Sequence, residues 1–324
     1  MADTVNFNIS PELANSSRKY RKELIKMPVI AAQEDTLKHM TGYGQLYGDL
    51  VFNGLTPKVE IAPYSNKNWT DGQADFESRI LTTYMGNCAY NYDPRQLFRT
   101  IYWDAKLKGK KLSEAEIIKR VLFLMAAQAG ESLNEVIWSA KRNPGGKTTK
   151  DLFDGLDTIT AAEIVKTTIG SEKGNMINLS KFDNSNAVDQ LNAVYLKADP
   201  HLRRMKTKMY ISQDIYDLYV ECYQNTRGQI VYNPGYEKAS LEVGRGLVEL
   251  CPMVSKTGSS FVHLAPKANM SYGFDGQNVD ECFEAADYHP WLTTIKACTI
   301  FGTQIITLDK RYLMVGKIAS PEAA

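Results

Sequence analysis

The sequence carries almost no net charge: 38 basic residues stand against 37 acidic ones, a formal +1. So balanced a chain has no global field to hold a polyanion or an anionic membrane, and any such contact must come from local clusters. Histidine is scarce, with four in 324 residues, and HExxH, G-x-S-x-G and paired His/Asp spacings are all missing. The five cysteines, Cys88, Cys222, Cys251, Cys282 and Cys298, are scattered, odd in number and without a CxxC pair. That excludes a disulfide framework and points to reduced, mostly buried thiols. No run approaches the ~18 apolar residues of a membrane helix, and Met1-Ala2-Asp3-Thr4-Val5-Asn6 lacks the basic-then-apolar order of a secretory signal. The expectation is synthesis in the cytoplasm and no membrane contact. Neither an internal repeat nor a low-complexity tract interrupts the chain.

What is present is an ordinary core-forming composition, with 44% hydrophobic and 23% charged residues. At about 150 residues per domain it allows two compact units or one large elaborated one. Residues 1–26 are polar throughout and cannot pack alone, which makes them an arm. Glycines 42, 44, 48 and 54 predict irregular backbone leading to an extended segment. Lys58–Pro63 and Asp75–Tyr84 alternate like strands around a polar stretch holding Trp69, the pattern of a long hairpin. Such a ribbon is marginal in water unless another surface covers it.

Asp93-Pro94 starts a short amphipathic helix. Ser113 with Glu116 then forms a capping box, and apolar spacing predicts one helix from Glu114 to about Lys141, about 40 Å long. Asn143-Pro144-Gly145-Gly146 stops it. A second helical stretch follows Asp157. Beyond it the sequence predicts a helix over Asn186–Lys197, a strand over Lys208–Ile211, and a helix capped by Ser212 that ends near Gly228. Short strands follow at 247–250, 261–264, 270–274, 299–307 and 312–315. The elements do not alternate regularly, so the fold class is α+β.

Chemical motifs are thin. Gly145-Gly146-Lys147-Thr148 contains the core of a P-loop, but the loop's first glycine would fall at Lys141 and a helix stands where a strand is needed, so a turn is the reading. Gly244-Arg245-Gly246 lacks the third glycine of a dinucleotide fingerprint. Cys282 and His289 lack an orienting third group. His39, His201 and His263 are isolated in sequence, and His263, inside an apolar strand, is expected to be a satisfied imidazole. Neither a catalytic residue, a cofactor nor a metal set is readable. Two charge clusters remain: Lys106, Lys108, Lys110 and Lys111, and Asp275, Asp280, Glu281, Glu284 and Asp287. Solvated loops are their simplest reading, and complementary pairing between copies of the chain is the alternative.

The order of arm, long hairpin, capped long helix, turn-rich link, mixed domain and terminal strands resembles the major capsid proteins of tailed bacteriophages, whose fold is named after phage Hong Kong 97 (HK97-like). The stretches that carry the resemblance are 79–88 (RILTTYMGNC) leading to Tyr92-Asp93-Pro94, 151–159 (DLFDGLDTI), 209–212 (MYIS) and 264–270 (LAPKANM). The resemblance implies an N-terminal arm and lead-in over 1–57, an extended loop over 58–84, and a peripheral domain over 85–185 with a spine helix at 113–141. It also implies an axial domain over 186–290 and a return of the chain through 291–324. It further implies a non-enzymatic virion subunit that forms hexamers and pentamers of an icosahedral head around double-stranded DNA, touching the packaged genome without reading bases. A separate scaffold protein, a portal and decoration proteins are the partners it implies. An encapsulin-like compartment shell is the alternative within the fold, and a phosphate-ligand enzyme the distant one outside it. Candidate contacts between subunits are Lys67, Trp69, Lys106, Lys108, Lys110, Lys111, Asp280, Glu281 and Glu284.

Overall fold

The computed structural model describes residues 36–58, 73–92, 124, 127–227, 240–275, 283–289 and 292–319. Among them are twelve strands and four α-helices, arranged as an α+β fold. The strands are β1 (Thr41–Tyr43), β2 (Asp49–Lys58), β3 (Gln73–Thr82), β4 (Tyr84–Tyr92), β5 (Met176–Leu179), β6 (Thr207–Ser212), β7 (Val248–Met253), β8 (Phe261–Ala265), β9 (Met270–Asp275), β10 (Phe283–His289), β11 (Leu292–Ile305) and β12 (Met314–Ile318). The helices are α1 (127–136), α2 (Leu156–Val165), α3 (Ala187–Lys197) and α4 (Gln213–Arg227).

Three sheets organise the chain. β2 and β3 form a two-stranded antiparallel ribbon. The outgoing strand starts at Asp49, so the ribbon begins before the residue 58 at which alternation in the sequence places it. The second sheet is built on the long strand β11. β4 pairs with Thr293–Phe301, while β10 pairs with the first half of β11 and β9 with Ile300–Ile305. Because β4 overlaps the registers of both, β10 and β9 follow one another along the opposite edge. β1 adds parallel to β9.

The third sheet has the order β5-β12-β8-β6-β7 and is covered on both faces. Successive side chains of a strand point to opposite faces, and β6 illustrates the consequence. Met209 and Ile211 join the core around α3 and α4, with Leu191, Val194, Tyr219 and Cys222. Tyr210, between them, joins the core built by Leu133, Ile137, Trp138, Phe153, Leu156 and Phe301. Burial on both sides explains why these strands read as near-continuous apolar runs rather than as alternation.

The long helix ends earlier than its apolar spacing suggests. Helical backbone stops at Val136, and residues 137–139 turn. The carbonyls freed there are captured by the start of α2: Leu156 N–H donates to Ile137 O, Asp157 N–H to Trp138 O, and Gly155 N–H to Ala140 O. Helix-terminal carbonyls need such partners when buried. Gly155 allows the close approach, since a Cβ there would lie 2.4 Å from Trp138 O. The expected start of this helix at Ser113, and the helix after Asp93, lie outside the described residues. Asn186 and Ser212 begin α3 and α4 as their positions in the sequence predict, Ser212 Oγ accepting from Ile215 N–H at 3.3 Å.

Candidate assembly surface

Among the described residues, the ribbon of β2 and β3 pairs with no third strand. Its root has two unlike faces. Leu81 is fully buried and would touch a Cβ placed on Gly273 of β9, so this side packs on the second sheet. Val51 and Ile80 stand directly opposite each other in the register and are 51% and 47% exposed. Cross-strand apolar pairs stabilise a sheet when something covers them, and nothing in the chain's described residues covers this one. Met85 on β4 and Tyr47 before β2 add exposed apolar side chains nearby in sequence.

Arg79 fixes the root. Its Nε donates to Ile305 O at 2.8 Å, one terminal nitrogen donates to Gln304 Oε1 at 3.0 Å, and the other lies 3.4 Å from Glu163 of α2. Gln304 Nε2 completes the ring by donating to Ile80 O at 2.7 Å. Burial opposes the charge on Glu163, but the hydrogen bond from Lys166 and the Arg79 guanidinium outweigh it and hold the carboxyl below its usual range. A bidentate fork is what this geometry uses, which only arginine supplies. Next to it, Thr83 Oγ accepts from Gly48 N–H and lies 3.1 Å from the carbonyls of Leu46 and Gly48, closing the start of the ribbon onto its end.

Of the candidate contact residues, Lys67, Trp69, Lys106, Lys108, Lys110, Lys111, Asp280 and Glu281 lie outside the described residues. Glu284 lies on β10, where its register partner on β11 is Lys296. Asp275, grouped in the sequence with the solvated acidic residues, is instead buried at the end of β9.

The residues around Lys147 do not form a phosphate loop. Thr148 donates its hydroxyl to Asp151 Oδ2, and the same carboxylate accepts from Thr148 N–H at 3.1 Å, which caps a single 3-10 turn. A carboxylate in that position occupies the donors that a phosphate would need. Arg245 in Gly244-Arg245-Gly246 adopts a left-handed φ of 50° after a 3-10 turn, an ordinary loop. The thiols divide evenly: Cys222 and Cys251 are buried, Cys298 is half-buried and Cys88 is exposed, so among the described cysteines burial is less general than expected. Cys282 lies outside the described residues.

The structure brings together two polar clusters that the sequence hides, one around His263 on β8 and one around His39 at the edge strand β7. His263 is fully buried, as a satisfied imidazole. Thr160 gives its hydroxyl hydrogen to Leu156 O at 2.8 Å, so His263 Nε2 must donate to Thr160 Oγ1 at 2.9 Å. Nδ1 is then the acceptor for Lys256 Nζ at 3.3 Å, and Lys256 donates to Asp157 Oδ1 at 2.7 Å with its ammonium 3.8 Å above the Trp138 ring. Burial lowers the pKa of Lys256 against the pull of Asp157, and burial followed by the Lys256 charge holds His263 well below 6.5. The second cluster corrects the expectation that His39 stands alone: Lys208, Glu249 and Cys251 surround it.

No protein-family model matches the chain, and no curated protein matches it in sequence. Its backbone is nevertheless similar to solved structures over most of its length. A chain from Gordonia phage Cozz aligns at a TM-score of 0.54, with 11% identity, over 89% of this chain and 87% of that one. The capsid of a native GTA particle aligns at 0.55, with 9% identity, over 90% of each chain. The satellite phage P4 procapsid, in a structure that includes its size determination protein, aligns at 0.50, with 10% identity, over 90% and 98%. The chain has the HK97-like fold of phage capsids, as the resemblance read from its sequence implies.

Proposed function

We propose that the chain is the major capsid protein of a tailed bacteriophage, and that it assembles as hexamers and pentamers into an icosahedral shell enclosing double-stranded DNA. The observation that carries this reading is the ribbon, clamped at its root by Arg79 and exposing Val51 and Ile80 on the face away from the second sheet. A two-stranded ribbon needs a covering surface for stability, and a neighbouring copy of the chain supplies one. Closed shells gain large total stability from many such modest contacts made together.

Within this reading the arm and lead-in span 1–57, the extended loop 58–84 has its root in β2 and β3, the peripheral domain spans 85–185, the axial domain 186–290 and the return 291–324. Contact with the genome is non-specific and electrostatic, made by local basic residues with phosphate. A separate scaffold protein, a portal and decoration proteins are the partners. The subunit's role is structural, and its place is the virion. Among the described residues no helix is long and apolar enough to cross a membrane.

Replacing both Val51 and Ile80 with Asp tests the reading. Sedimentation velocity of the chain, co-expressed with its scaffold, should show fast particles for the parent and only small species for the variant, with circular dichroism unchanged. Particles of parental size and yield in the variant would remove the ribbon from the assembly surface.

A further inference from the structure

The geometry points to a zinc-class metal site formed by His39, Glu249 and Cys251, at the seam where the segment entering β1 meets the edge strand β7. Glu249 and Cys251 are two apart on β7 and share a face, and the 3-10 turn Leu37–His39 brings the imidazole onto it. Three donor atoms of different chemistry converge. His39 Nδ1 is 3.6 Å from Glu249 Oε1 and 3.4 Å from Cys251 Sγ, and Sγ is 3.9 Å from the same Oε1. Zinc bonds of about 2.0–2.2 Å to nitrogen and oxygen and about 2.3 Å to sulfur require donor separations of roughly 3.4–3.6 Å around a tetrahedron. The triangle matches one tetrahedral face to within a few tenths of an ångström.

Imidazole, carboxylate and thiol suit zinc, cobalt and cadmium, and exclude calcium and magnesium, which take oxygen shells. A solvent molecule completes the coordination, as in three-ligand zinc sites. Glu249 is half exposed and gives the ion its path in.

A cation already stands at this place. Lys208 Nζ is 3.0 Å from His39 Nδ1 and 2.8 Å from Glu249 Oε2, and its ammonium attracts the same donors a metal would use. Metal binding therefore exchanges a single charge for a double one: Lys208 swings to solvent, and Cys251 releases its thiol proton to water as the sulfur–metal bond forms. Tyr210 strengthens the seam independently by donating to His39 O at 2.7 Å. The ion would staple the end of the arm's lead-in to the sheet edge, whatever the chain assembles into.

The test is a titration of the reduced, chelator-treated full-length chain with cobalt(II) chloride, followed by competition with zinc(II) chloride. A saturable thiolate-to-cobalt charge-transfer band, displaced by zinc, is expected. Cys251→Ser should abolish the band, and His39→Ala and Glu249→Gln should each weaken binding by at least about tenfold. Lys208→Met, which removes the competing cation, should tighten it. Glu249→Gln and Lys208→Met alter partly exposed side chains and keep the test valid should Cys251→Ser fold poorly. Absence of the band, a band unchanged in Cys251→Ser, or affinities unaffected by Glu249→Gln and Lys208→Met overturn the inference.

Discussion

Lys256 and Asp157, 99 residues apart in sequence, meet in the core with Nζ 2.7 Å from Oδ1. The lysine side chain has no exposed surface and the aspartate very little. The pair ties the turn after β7 to the start of α2, and through His263 and Thr160 to β8. Removing one partner leaves an unpaired buried charge, which costs about 3–5 kcal/mol. Asp157→Ala should therefore lower the urea midpoint sharply. The double variant Asp157→Leu with Lys256→Met should recover most of the loss, since an apolar pair needs no compensation. Equal loss in the single and double variants would show that the pair acts through packing alone.

His263 makes stability depend on pH on the acid side. Its imidazole stays neutral in the fold, with its pKa held well below 6.5 by burial and by Lys256. The unfolded chain binds a proton there below about pH 6.5 while the folded chain does not. Unfolding free energy therefore falls as pH drops, by about 1.4 kcal/mol per unit from this group. The lowered carboxyls Glu163 and Glu249 add their own loss only below their usual value of 4.5. Just below pH 6.5 part of this fall comes from His263, and His263→Gln should reduce the pH dependence there in urea titrations.

Gly155 is required by contact rather than by dihedral angle, since its φ of −76° suits any residue. A Cβ would come within 2.4 Å of Trp138 O and 2.8 Å of Ile137 O, both backbone atoms that cannot rotate away. Gly155→Ala should destabilise the chain by about 1–3 kcal/mol, the usual range for overpacking, read as a drop in melting temperature. A neutral result would mean that α1 and α2 can separate at no cost.

Arg79→Ala removes two hydrogen bonds and a charge contact at the root of the ribbon. At about 1.5–3 kcal/mol for hydrogen bonds to a charged group, the loss should be of that order. Limited proteolysis should cut faster within residues 49–82. Arg79→Lys should rescue little of this, because a lysine cannot reach Ile305 O and Gln304 together with a single ammonium.

Local signals made much of this legible in the sequence. Ser212 announced α4 as its cap, and the stripe of Val188, Leu191, Val194 and Tyr195 announced α3, because each signal lies within one segment. The returning strand of the ribbon was readable from alternation over Asp75–Tyr84, whereas the outgoing strand expected at Lys58–Pro63 lies mostly outside the described residues and the stretch through Gly54 and Pro57, read as irregular, in fact pairs with β3 in continuous register. β1, β4, β5 and β10 were missed: β1 and β5 are only three and four residues long, the glycines around β1 read as irregular backbone, β4 follows β3 without a turn signal, and β10 carries Glu284 and Asp287, which read as part of an acidic loop. The polar clusters could not be found at all, since Lys256 with Asp157 and His39 with Cys251 become neighbours only through the tertiary fold. The capsid fold, by contrast, was visible in the order of elements.

The central claim is that copies of this chain close into a shell. Electron microscopy of the purified chain, expressed with its scaffold, tests it most directly. The expected result is closed particles of uniform diameter whose averaged images show sixfold and fivefold clusters of subunits. A population of monomers or small open oligomers at every concentration and salt tried would contradict it.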